Sequence, residues 1–205
     1  MEIPMNKLKM NRLSRKTVRL FYLFSPVVSG GASLAIFRMR GADFIEAFQA
    51  RASLTEQILV GLLVGIGAGL VIGLAVTRFP RLASLRGIIQ QAFEAARPNL
   101  PDLFLTSLSA GFSEELLFRG AVQPLLGIWI TSLLFALMHG GGTKAQKGNL
   151  LFGLFVFGVS LLLGSVYAEV GLLAGMITHF ALDFTVLLQY RFLLAATPAH
   201  EPDRP

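Results

Sequence analysis

Six apolar runs dominate this chain, at about Leu20–Phe37, Ile58–Val76, Leu103–Gly120, Val122–His139, Leu150–Ala168 and Leu172–Leu194. Each is close to the ~20 residues that a helix needs to cross the hydrocarbon of a bilayer. Of its 205 residues 54% are hydrophobic and only 15% charged, with mean hydropathy +0.64, against roughly 25% charge in soluble domains. The expected fold is all-α: a polytopic membrane bundle of about six transmembrane helices with an added cytoplasmic amphipathic helix. A basic leader over 1–19, one helical domain over 20–195 and a polar tail over 196–205 complete the expected organisation.

Charge placement orients such a bundle. With the N-terminus inside, the inner segments carry Lys7, Lys9, Arg12, Arg15, Lys16 and Arg19, then Arg78, Arg81, Arg86 and Arg97, then Lys144 and Lys147, then Arg191 and Arg204. That is 14 of the 18 basic residues, so the positive-inside rule favours cytoplasmic N- and C-termini. The basic leader reads as an anchor on anionic lipid rather than a nucleic-acid patch, although an unpartnered basic tail fits as well. Its length, and the lack of a small-residue cleavage site after the first run, favour an uncleaved anchor over a signal peptide. The chain has no cysteine, which excludes disulfides, thiolate metal sites and thiol catalysis.

Two patterns read as structural. Gly61, Gly65, Gly69 and Gly73 share one helical face and would let another helix approach closely. Between Arg81 and Arg97, Leu82, Leu85, Ile89 and Phe93 recur at helical spacing among polar residues. That is an amphipathic helix on the inner leaflet, ending near Pro98.

Chemistry concentrates in three of the apolar runs. Glu115 and Arg119 are four residues apart and share a helix face, where they can pair. Glu114 points about 100° away and is left as the acid with the more variable environment, suited to general-base work or, more plainly, to reaching water. His139 ends an apolar run at Phe135-Ala-Leu-Met-His139, and His179 sits within the last run, one turn before Asp183. His200 lies in the polar tail and reads as solvated. An ionisable group at bilayer depth costs several kcal/mol unless paired or hydrated. Two Glu, one Arg, two His and one Asp in one small bundle are most simply explained by a shared site.

The motifs Glu-Glu-x-x-x-Arg, Phe-x-x-x-His and His-x-x-x-Asp, on successive hydrophobic segments from Glu114 to Asp183, resemble those of the CPBP (Abi) intramembrane proteases. That family includes the CAAX prenyl endopeptidases and bacterial proteins linked to bacteriocin processing or self-immunity. The resemblance covers about a third of the chain. It implies an intramembrane endopeptidase of the bacterial inner membrane that cleaves a membrane-associated or lipidated peptide. It further implies that Glu114 and His139 activate a water, that Glu115 and Arg119 orient the pair, that Phe135 shapes the substrate pocket, and that His179 and residue 183 stabilise the oxyanion. Relatives often have Asn where this chain has Asp183, and an ionised Asp cannot donate to an oxyanion. Asp183 is then protonated, orients His179, or helps bind a cation. A metal-free site without cofactor is preferred; a Zn²⁺ ion held by Glu114, His139, His179 and Asp183 is the alternative. The rival functions are a non-catalytic immunity or binding protein on the same scaffold and a proton-coupled carrier, the latter disfavoured by the absence of an internal repeat.

Overall fold

The computed structural model describes residues 15–50, 52–79, 82, 86, 98–141 and 150–195. The leader residues Lys7, Lys9 and Arg12, the amphipathic segment Arg81–Arg97 apart from Leu82 and Arg86, Lys144 and Lys147, and the tail with His200 lie outside the described residues.

Among the described residues every regular element is helical: α1 (Arg15–Arg40), a short 3-10 turn at Ile45–Phe48, α2 (Leu54–Arg78), α3 (Leu100–Glu115), α4 (Gln123–Ala136), α5 (Leu150–Glu169) and α6 (Leu172–Ala195). Helices keep their backbone hydrogen bonds within the segment, which a bilayer interior requires. Local signals set the starts. The Ser53 hydroxyl accepts from the Glu56 N–H while the Glu56 carboxylate accepts from the Ser53 N–H, and Asn99 with Asp102 repeats the device at α3, each pair satisfying two otherwise orphaned donors.

Four helices of the described residues are long and apolar enough to cross a membrane: Leu54–Arg78, Leu100–His139, Leu150–Glu169 and Leu172–Phe192. The six expected crossings do not map onto these one to one. The first run lies in α1, outside that set, and the third and fourth runs are two arms of the continuous 40-residue stretch Leu100–His139. The break between the arms is at Gly127 (φ 74°, ψ 170°), and Pro124 is accommodated in the first turn of α4. A straight helix would part residues 114 and 139 by about 37 Å. Instead their side chains lie 3.3 Å apart, and the Phe118 and Phe135 ring centroids 4.9 Å apart, so the arms run antiparallel. The second arm, Ile128 to Gly141, is only about 20 Å long.

The glycine stripe of α2 packs as expected, and its partner is α6. A Cβ on Gly61 would stand 2.8 Å from Ile177, one on Gly65 2.7 Å from the Ala181 Cβ, and one on Gly69 2.7 Å from the Thr185 Cβ. Only hydrogen at these positions permits such an approach. The opposite side of α2 exposes Leu59, Leu63, Ile66, Leu70 and Leu74, a face suited to lipid. On its other side α6 lies against α3, where a Cβ on Gly111 would come 2.8 Å from the Met176 carbonyl oxygen. Helix α1 closes the back of α3 through the Arg19–Asp102 ion pair (3.4 Å), the Ser25–Ser113 hydrogen bond and the Ser109 hydroxyl donating to the Tyr22 carbonyl.

Candidate active site

Between Leu116 and Val122 the stretch from α3 to α4 widens into a π-helical turn, a form that recurs at functional positions. Arg119 sits in it and is wholly buried with Glu115. Its Nε donates to Glu115 Oε2 (2.9 Å), Nη1 to Gln123 Oε1 (3.2 Å) and Nη2 to Ser160 Oγ on α5 (2.7 Å). Gln123 in turn donates from Nε2 to the Gly164 carbonyl (3.0 Å). The free oxygen of Glu115, Oε1, lies 2.9 Å from His179 Nδ1 across the α3–α6 contact, one turn beyond the close approach at Gly111. A buried guanidinium and carboxylate are tolerable only with such a filled set of partners.

The second pair faces open space. Glu114 Oε2 lies 3.3 Å from His139 Nε2, within ion-pair distance, yet Oε2 is buried and meets no partner in hydrogen-bond geometry among the described residues. His139 Nδ1 is 2.8 Å from the Phe135 carbonyl. A carbonyl only accepts, so the Nδ1 proton is committed there and Nε2 is left to exchange a proton with Glu114 or with a water beside it. The Phe135 ring stacks on His139 (centroids 4.1 Å, 19°), meets His179 edge-on (6.1 Å) and carries the Arg119 guanidinium 5.6 Å from its centroid.

Opposite, His179 Nε2 lies 3.4 Å from Asp183 Oδ2. Both ring nitrogens of His179 thus face carboxylate oxygens. They are satisfied together by an imidazolium, or by a proton on one of the acids. Glu114, Phe135, His139, His179 and Asp183 line one cavity of about 260 Å³, whose remaining walls are apolar: Ile72, Phe155, Val156, Val159, Leu182, Val186 and Leu187. A water occupies about 30 Å³, so the space takes several waters or a short stretch of peptide backbone.

Every residue expected at the site is therefore in one neighbourhood, five on the cavity wall and Glu115 with Arg119 behind it. Among the described residues no group of three or more His, Asp or Glu side chains is arranged to hold a metal ion. Sequence reasoning missed Gln123 and Ser160. Gln123 continues the Glu115–Arg119 step by another four residues and could have been found. Ser160, a single hydroxyl in an apolar run, has a partner 41 residues away and carries no local signal.

Among the described residues, packed helices that enclose two carboxylate–histidine pairs define a membrane-embedded bundle with an internal polar site. The family model of type II CAAX prenyl endopeptidase Rce1-like proteins matches residues 96–185, the segment holding every one of these groups. Over that segment the chain is similar to the CAAX-type branch of the CPBP family, as its motifs imply. It is 36% identical over 107 residues to a Bacillus subtilis (strain 168) protein described as uncharacterized protein YpbD, the alignment covering 52% of this chain and 53% of the relative. The chain thus spans about half the length of that curated relative. No solved structure matches it.

Proposed function

We propose that this integral membrane protein is an endopeptidase that hydrolyses a peptide bond of a membrane-associated or lipidated substrate, without a metal. The observation that carries the reading is the buried Glu114 Oε2 within ion-pair distance of His139 Nε2, in a cavity also lined by His179. A water between Glu114 and His139 gives up a proton to Glu114 while its oxygen bonds to the peptide carbonyl carbon. The oxyanion so formed accepts from His179 Nε2–H, which Asp183 orients in the resting site. Collapse breaks the C–N bond, and the proton held by Glu114 and His139 passes to the leaving amine. Glu115 and Arg119 hold His179 in register, and the apolar walls suit aliphatic side chains or a lipid chain of the substrate.

The same reading puts the protein in the bacterial inner membrane with both termini cytoplasmic, supported by the 14 of 18 basic residues that fall inside when the six apolar runs are read as crossings. Its partners are then the bilayer and a peptide or lipidated-protein substrate, not nucleic acid.

The test is cleavage of a candidate-peptide library by the purified protein in detergent, with and without chelator. Wild-type protein should cleave with chelator present, and Glu114→Ala should lose about 10²–10⁴-fold in rate. Full activity in Glu114→Ala would end the mechanism; silencing by chelator with loss of stoichiometric zinc would end its metal-free form.

A further inference from the structure

Arg119 is linked to both carboxylate–histidine pairs, directly to one and through Phe135 to the other. Through Nε it holds Glu115, whose other oxygen meets His179; through its face it lies over Phe135, whose ring stacks on His139. A guanidinium bonded at Nε alone can turn about that bond. Here each of the three nitrogens has its own acceptor, and three fixed points define a plane. Two of those acceptors, Gln123 Oε1 and Ser160 Oγ, belong to residues that line no part of the cavity.

We infer that Gln123 and Ser160 are positioning residues, setting the Arg119 plane and through it the attitude of both histidines. Two independent devices hold the positioners themselves. Gln123 is pinned by its amide to the Gly164 carbonyl, and Gly164 admits it only because a Cβ there would stand 2.8 Å from Gln123 Oε1. Ser160 is wholly buried and has the guanidinium as its partner. The clamp therefore joins α5, which carries no titratable group of the site, to the orientation of groups on α4 and α6. A buried donor–acceptor set of this kind is sensitive to the loss of any member, because the orphaned group has no water to turn to.

The kinetic part of this inference rests on the peptidase reading, so the experiment has an arm that does not. Full-length Ser160→Ala and Gln123→Leu are prepared in detergent, and kcat and KM are measured on a peptide that wild-type protein cleaves. In parallel, ¹⁵N resonances of the His139 and His179 rings are recorded. Each variant should lower kcat about tenfold, with KM held within about twofold. Ser160→Thr, which restores the hydroxyl, should recover most of the rate. Added to Arg119→Lys, Ser160→Ala should lower kcat by less than about twofold further, since both act through one guanidinium. Both histidine signals should move in Ser160→Ala. Unmoved histidine signals, a full multiplicative loss with Arg119→Lys, or lowered stability at unchanged kcat would each overturn the inference. Should wild-type protein cleave nothing, the peptidase reading falls alone and the resonances decide the clamp. If one variant fails to fold, the other carries the same readouts.

Discussion

Helix α6 packs most extensively against two neighbours, α2 and α3, and it is held to them by opposite means. Toward α2 the contact is backbone against small side chains, with Gly61, Gly65 and Gly69 against Ile177, Ala181 and Thr185 and no charge pair across it among the described residues. Toward α3 the helices also close on a glycine, Gly111, but one turn further the contact is Glu115 against His179 with Arg119 behind. In lipid, where apolar surface gains little from meeting apolar surface, both contacts depend on close approach. What differs is the failure mode. The first is vulnerable to added volume, the second to a missing charge.

The comparison breaks most sharply at Arg119. Arg119→Ala leaves Glu115 as a buried acid whose guanidinium is gone, and unfolding in mixed micelles should show a loss of about 3–5 kcal/mol. A loss below about 1 kcal/mol would mean that the network is ornamental to stability. Gly65→Val attacks the other face. It adds volume where the Ala181 Cβ would be 2.7 Å from a Cβ, and should destabilise by about 1–3 kcal/mol in the same assay; a neutral result would show that α2 can move off α6 without penalty. Glu114→Gln should change stability least, within about 0.5 kcal/mol, because the only contact it weakens is the partly exposed one with His139, while cleavage should disappear. A large stability change there would make Glu114 a structural acid like Glu115.

These outcomes bear on how far the site could be read from the chain. The helical runs were legible because hydropathy records the solvent directly, and the glycine stripe because a four-residue repeat marks one face. The Glu115–Arg119 pair followed from helical spacing alone. The Glu114–His139 meeting follows from the shared-site argument and the resemblance rather than from spacing; what the sequence does not mark is the fold-back at Gly127, whose backbone angle a glycine adopts only in its tertiary setting. Pro124 carried the stronger sequence signal for a break, yet proline is at home in a first helical turn. Ser160 was illegible for a different reason. A lone hydroxyl in an apolar helix bonds to its own backbone as readily as to a distant cation, and only the assembled bundle selects between them.

The shortness of the second arm has its own consequence. About 20 Å of helix from Ile128 to Gly141 cannot span a hydrocarbon slab of about 30 Å, so His139 ends its helix below the level at which the longer neighbours reach the headgroups. A bilayer can accommodate a short segment by thinning around it, and thinning at that end would bring solvent toward Glu114 without a pore through the protein. Hydration of the site is thereby tied to membrane thickness: thin, short-chain lipid wets the Glu114–His139 pair, and thick, sterol-like or long-chain lipid dries it.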